Sequence, residues 1–293
     1  MFCMKMLAVA LVVVGGYGQA KEKTVEPDAV LFIAPLNDAI RLEAGTLEVR
    51  FSLDYSFDNF LHSDRSSNSP FPFLQIYDSE GMVYGNRESD HTFSLVMHQR
   101  GSTHGIVFAN RFYYVERGDA SVAQNHVGGI AVYGDKAKGP WCMAGEWHSV
   151  ALTWEVVSES LKVELFIDGK FQRQQLLPKR SDTVRAFSKG DYLGIGSESL
   201  SPATILSYRL SNRVRTREEI ASEQPLKADE ATTFFLNGEI AGKIKTLKSG
   251  GFRVILKDAK TSVKQPIFVG EKKIVDTPKG KAIQFYKKSL RTR

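Results

Sequence analysis

Hydrophobic and polar positions alternate along most of this chain. In LEVRFSLDY (47–55), Leu47, Val49, Phe51 and Leu53 share one side, while Glu48, Arg50, Ser52 and Asp54 share the other. A side-chain period of two with one apolar face describes a half-buried β-strand. The same reading applies to PFLQIYD (72–78), TFSLVMHQ (92–99), GIVFANRFYYVE (105–116) and GIAVYGD (129–135). It extends to WHSVALTWE (147–155), LKVELFIDG (161–169), DYLGIGS (191–197) and ATILSYRLS (203–211). Turn-forming segments rich in Asn, Asp, Gly, Ser and Pro separate them, as at SDRSSNSP (63–70) and DSEGM (78–82). Only TREEIASE (216–223) predicts a helix, with Thr216 as N-cap and Glu219 three residues on as its capping-box partner. Many short strands divided by turns predict an all-β sandwich or jelly roll.

The stretch EWHSVALTW (146–154) holds two tryptophans and a histidine, residue types able to carry chemistry. Alternation puts Trp147, Ser149, Ala151 and Thr153 on one face, and His148, Val150, Leu152 and Trp154 on the other. Both faces carry apolar bulk, as expected of a central strand covered on both sides for part of its length. In the next strand Leu161, Val163, Leu165 and Ile167 share a face, and Asp168-Gly169 is a tight-turn dipeptide leading into FQRQQLL (171–177). Burial at about 1.5–3 kcal/mol per large apolar side chain explains these residues as scaffold.

Three blocks carry a resemblance. AGEWHSVALTWEVVSESLKVELFIDGK (144–170) is similar to the central hairpin of laminin-G-like domains of the concanavalin A-like lectin/glucanase superfamily. EAGTLEVRFSLDYSF (43–57) resembles their first core strand, and DYLGIGS with ILSYRLSNRVRTREEI (205–220) resembles their closing strand and helix. Ser149 and Tyr208-Arg209-Leu210 depart from the usual pattern, which marks a divergent member. The resemblance implies a concanavalin A-like jelly-roll sandwich of two antiparallel sheets over residues 21–222. It implies that ligands bind through loops, with calcium as a candidate cofactor. Asp54, Asp58 and Asn59 cluster after the first block, yet no fixed ligand spacing singles them out, and the metal stays unassigned.

Residues 223–293 follow as a basic C-terminal extension. TTFFLNGEI (232–240), GFRVILKD (251–258) and GKAIQFYKK (280–288) read as strands, either extra strands or a truncated repeat, and an appended small β-unit is the favoured form. From Lys243 to Arg293 there are 15 Lys and Arg against 3 Asp and Glu, a net +12 in a chain of net +6, so the remainder carries −6. Such an excess suits an anionic polymer or surface, and an arm of this kind should be removable without unfolding the sandwich. The tail has no glycine–aromatic pattern of an RNA-binding sheet, and no nucleic-acid partner is expected.

The opening MFCMKMLAVALVVVGGYGQA has one lysine, a short apolar run and small residues at Gly18 and Ala20. This predicts a secretory signal peptide over 1–20 and a secreted, periplasmic or cell-surface protein. No later run approaches the ~18 apolar residues of a membrane-spanning helix. Cys3 would leave with the signal, so Cys142 has no disulfide partner and stability must come from a core.

Catalytic signatures are missing from the sequence. There is no E-x-D-x-E carboxylate pair of retaining glucanases, no lyase-type R-[ST]-E-[LV]-R or Q-I-H, no G-x-S-x-G and no H-E-x-x-H. The expected function is therefore non-catalytic recognition of carbohydrate or another extracellular partner, with an anionic polysaccharide as the candidate ligand of the tail. The rivals are a divergent glycoside hydrolase or polysaccharide lyase, and a structural cell-surface interaction module. Aromatic rings can serve as platforms for sugar rings, and the candidates are Tyr113 and Tyr114 in Phe112-Tyr113-Tyr114, and Trp141 in the loop before the motif.

Overall fold

A computed structural model describes residues 31–37, 39–53, 71–77, 93–100, 103–110, 128–133, 145–178, 190–196, 203–222, 225–247, 265–270 and 272–285. Its strands are β1 (Leu31–Pro35), β2 (Ala44–Leu53), β3 (Phe71–Tyr77), β4 (Phe93–Arg100), β5 (Thr103–Asn110) and β6 (Gly128–Tyr133). They continue as β7 (Trp147–Val157), β8 (Ser160–Ile167), β9 (Lys170–Pro178), β10 (Tyr192–Gly196) and β11 (Ala203–Ser211). Beyond helix α1 (Arg217–Ala221) come β12 (Thr232–Asn237), helix α2 (Gly238–Lys243), β13 (Lys245–Leu247), β14 (Ile267–Val269), β15 (Lys273–Thr277) and β16 (Gly280–Gln284). One sheet runs β13-β14-β1-β10-β3-β4-β5-β6, and the other runs β15-β16-β11-β2-β7-β8-β9 with β12 also paired to β11. The architecture is an all-β jelly-roll sandwich, antiparallel throughout these pairings except β13 with β14.

The predicted alternation decides the core. Leu47, Val49, Phe51 and Leu53 of β2 and Val150, Leu152 and Trp154 of β7 all lie between the sheets. Phe51 meets Phe73 of the opposite sheet at 4.7 Å between ring centroids, and Phe93 meets Trp154 edge-on at 5.2 Å. Trp154 is 1 % exposed and donates its indole N–H to the Arg41 carbonyl at 2.7 Å. Its ring lies so close to Gly45, its register partner on β2, that a Cβ there would fall 2.1 Å from it. Trp154 is scaffold, as its position in the pattern predicts.

The outer face of the second sheet is also covered in part. Ala151 and Phe166 pack beneath Ile220 of α1, which accounts for apolar residues on both sides of β7. Thr216 caps α1, its hydroxyl accepting from the Glu219 amide while the Glu219 carboxylate accepts from the Thr216 amide, the capping box read from the sequence. Buried Glu48 holds the closing segment to this face. It accepts from Arg209 Nε at 2.7 Å and lies 3.3 Å from Arg215 Nε, and Arg215 reaches Asp229 at 2.8 Å. Burial pushes the Glu48 carboxyl up, the guanidiniums of Arg209, Arg215 and Arg50 pull it back, and the net is a raised pKa.

The chain beyond residue 222 departs from the expected appended unit. Its described strands extend both sheets, β12 and β16 on β11 and β14 on β1. Leu236, Phe268, Ile283 and Phe285 belong to the same core as Trp154. Phe234 contacts the rings of Phe32 and Tyr208 at 5.7 and 5.8 Å. Tyr208, one of the departures from the family pattern, is fully buried among these rings. The strand expected at 232–240 ends at Asn237, whose side chain accepts the Ile240 amide at 2.9 Å and starts α2. The strand expected at 251–258, the signal segment 1–20 and Cys142 lie outside the described residues. Among the described residues, no helix is long and apolar enough to cross a membrane.

Candidate functional site

The β8–β9 hairpin turns on Asp168 and Gly169, at φ 50° and 70°. Two successive left-handed residues make the type I′ turn expected of an Asp-Gly pair. Gly169 has a second constraint, because a Cβ there would lie 3.0 Å from the Ala221 Cα at the end of α1. The turn therefore docks against the helix and brings Asp168 beside the start of β7.

Asp168 ties that end of β7 with three contacts. Its Oδ1 accepts the Ser149 amide at 2.8 Å, its own amide donates to the Ser149 carbonyl at 2.8 Å, and its Oδ2 lies 2.9 Å from His148 Nδ1. The other imidazole nitrogen, Nε2, is buried 3.6 Å from the Glu146 carboxylate. The hydrogen bond to Asp168 raises the His148 pKa, with both carboxylates adding to it and burial opposing it. Burial acts to raise Asp168, but His148, the Ser149 amide and Lys170 outweigh it and hold the carboxyl below its ordinary range. A general base would need an imidazole nitrogen open to substrate. Here both nitrogens face carboxylates, so the pair acts as a clamp on the hairpin.

The clamp forms one wall of a cleft of about 340 Å³ on the outer face of the second sheet. Trp147 and Ser149, on the outward side of β7, line it with Arg50 of β2, which stands opposite Ser149 in the register. Arg50 donates to the Ser222 carbonyl at 3.2 Å, which anchors its guanidinium at the end of α1. Lys279, from the turn between β15 and β16, closes the rim. Trp147 is only half-buried, unlike Trp154. The scaffold reading therefore holds for Trp154 and is too broad for Trp147, whose outward parity was the available signal. Arg50 and Lys279 had none, since only the pairing of distant strands joins them.

Tyr113, Tyr114 and Trp141, the platforms expected from sequence, lie outside the described residues, as do Asp54, Asp58 and Asn59. Among the described residues, no three His, Cys, Asp or Glu side chains stand together as a metal site.

No family model and no curated protein matches the chain. Solved structures do, at low similarity. The botulinum neurotoxin serotype D ligand-binding domain in complex with N-acetylneuraminic acid is 12% identical at a TM-score of 0.34. That match covers 66% of this chain, which spans only 40% of that one. The native heptameric SAP-like pentraxin from Limulus polyphemus is 11% identical at a TM-score of 0.32, covering 67% of this chain and 82% of that one. The CBM40 of the Ruminococcus gnavus IT-sialidase, bound to α2,3-sialyllactose, is 12% identical at 0.30, covering 61% and 82%.

Proposed function

We propose that this protein is an exported, non-catalytic recognition module that binds carbohydrate in the outer-face cleft beside Trp147. The observation that carries the reading is a half-buried indole on a rigid strand, set in one concavity with Arg50, Ser149 and Asp168. A pyranose has an apolar C–H face and a hydroxyl rim, so its site needs an aromatic surface beside polar groups. At about 340 Å³ the cleft is the size of small-ligand sites, roughly 300–1,000 Å³. The missing catalytic signatures and the closed His148–Asp168 clamp support binding without turnover. The three-part segment at residues 1–20 supports export.

A glycan array probed with the chain from Lys21, followed by calorimetry on the best ligand, tests the reading. Trp147→Ala should weaken binding about tenfold, the ~1.4 kcal/mol of one aromatic contact, and leave the melting temperature nearly unchanged. Wild-type affinity in that variant, or no glycan bound at all, would defeat it. Steady release of reducing sugar would replace it with the hydrolase reading.

A further inference from the structure

We propose that a second pocket, at the margin where the end of β1, the start of β12 and the lead-in to β14 meet, binds a small aromatic molecule, with Phe234 as its stacking surface and Arg41 at its mouth. The inference is independent of the carbohydrate reading: among the described residues, none lines both this pocket and the cleft beside Trp147.

Two prolines account for the opening. β1 pairs with β14 over Leu31 to Ile33, opposite Val269 to Ile267, and the ladder stops there. Pro266 comes next on one strand, and Ala34 and then Pro35 on the other. A proline has no N–H to give to a ladder. On its other side β1 stays paired with β10 as far as Pro35. The first sheet is therefore closed toward β10 and parted toward β14, and a pocket of about 410 Å³ lies at the gap. That volume is within the roughly 300–1,000 Å³ of small-ligand sites.

The frame around the gap is held by backbone bonds. The Leu36 amide donates to the Asp191 carbonyl at 2.8 Å, and the Ala39 amide donates back to the Leu36 carbonyl at 2.8 Å. Thr233 of β12 donates its hydroxyl to the Ala39 carbonyl at 2.6 Å, which ties the second sheet to this turn. The Arg41 carbonyl accepts the buried indole of Trp154 at 2.7 Å. The backbone at Arg41 is thereby fixed, while its side chain is exposed where it lines the pocket.

Phe234 decides the ligand class. It is the half-buried member of a ring cluster, with Phe32 at 5.7 Å and Tyr208 edge-on at 5.8 Å, both fully buried. Those rings set its orientation from the core side, and it also lines the pocket. A further ring would extend the cluster at the 4.5–7 Å spacing that aromatic pairs favour, roughly. The rings of Pro35 and Pro266 add apolar wall, and the Arg41 guanidinium can cover a bound ring by cation–π attraction. The Thr233 hydroxyl is engaged by Ala39, so the polar end of a ligand would point toward exposed Asn37 and solvent. A saturated ring of the same size would bury similar apolar area but gain neither the ring contact nor the cation–π contact.

The test uses the full chain and two matched neutral probes, benzyl alcohol and cyclohexylmethanol, each titrated by NMR of the nitrogen-15-labelled protein. The aromatic probe should bind about fivefold more tightly, the scale of one aromatic pair. Phe234→Leu should bring the ratio near one while the saturated probe still binds. Arg41→Gln should lower the affinity for the aromatic probe severalfold; because Arg41 is exposed and only its backbone carbonyl serves the fold, this variant guards against a folding defect in Phe234→Leu. Equal binding of the two probes by the wild type, or binding of neither, would overturn the inference. So would a ratio unchanged in both variants. Loss of the aromatic probe in Trp147→Ala with retention in Phe234→Leu would also overturn it, because the ring would then sit in the cleft.

Discussion

Removing residues 223–293 should unfold the sandwich. The truncation deletes β12, β14 and β16 and with them Leu236, Phe268, Ile283 and Phe285, each 0 % exposed. At about 1.5–3 kcal/mol per large buried apolar side chain, the direct loss is roughly 6–12 kcal/mol. Further losses follow in the part that remains. Phe32 loses the rings of Phe234 and Phe268 at 5.7 and 5.0 Å, and Arg215 loses its carboxylate partner Asp229. Domains are stable by only about 5–15 kcal/mol in total, so the loss is comparable to the whole. The assay compares chains from Lys21 to Ser222 and from Lys21 to Arg293 by circular-dichroism melting and dye binding to exposed apolar surface. The short chain should show no cooperative transition and should bind dye. A cooperative melt within about 4 °C of the full chain would limit the contribution of the tail to ~1–2 kcal/mol. That result would refute the reasoning and restore the tail as a separable arm.

Trp154→Ala should destabilise the full chain by about 3–5 kcal/mol, as for a fully buried Trp, whereas half-buried Trp147→Ala should lower the melting temperature much less; equal losses would contradict their opposite faces. The His148 pKa is raised in the folded state, so its stabilisation is complete below the ordinary imidazole value of about 6.5 and is lost as pH rises through the raised value. The melting-temperature difference between wild type and His148→Gln should therefore shrink from pH 6 toward pH 9, and a difference that grows would reverse the sign. Asp168 has a depressed folded pKa, so its share is present above the ordinary aspartate range and is lost only as strong acid takes the pH through the depressed value. Asp168→Asn should accordingly cost stability at neutral pH and cost less in strong acid. Gly169→Ala should destabilise the hairpin because φ 70° and the 3.0 Å approach to Ala221 both oppose a Cβ; an unchanged melt would mean that the turn does not dock on α1.

The sequence made the long alternating strands legible because one buried face imposes a period of two, as in β2 and β8. It made α1 legible because a capping box is a local chemical pattern. β1 is different: LFIAP is apolar throughout, with Phe32 and Ile33 on opposite faces both fully buried, so no alternation marks it. The pairing of β14 with β1 and of β16 with β11, strands well back in the chain, leaves no local trace. TTFFLNGEI carried a strand signal in its aromatic run, but the cap at Asn237 decided where that strand ends. The same limit applies to the cleft. Parity placed Trp147 outward and Asp-Gly predicted the turn, whereas Arg50 and Lys279 meet only through the order β16-β11-β2-β7.

The most direct test of the account uses the indole N–H resonances of the three tryptophans, Trp141, Trp147 and Trp154. The full chain, labelled with nitrogen-15 and assigned by single Trp→Phe substitutions, is titrated with the tightest-binding oligosaccharide. The Trp147 resonance should shift with the binding isotherm while that of Trp154, enclosed in the core, should stay in place. A saturating titration that moves the Trp141 resonance and leaves Trp147 unmoved would contradict it, because the sugar would then sit elsewhere on the molecule.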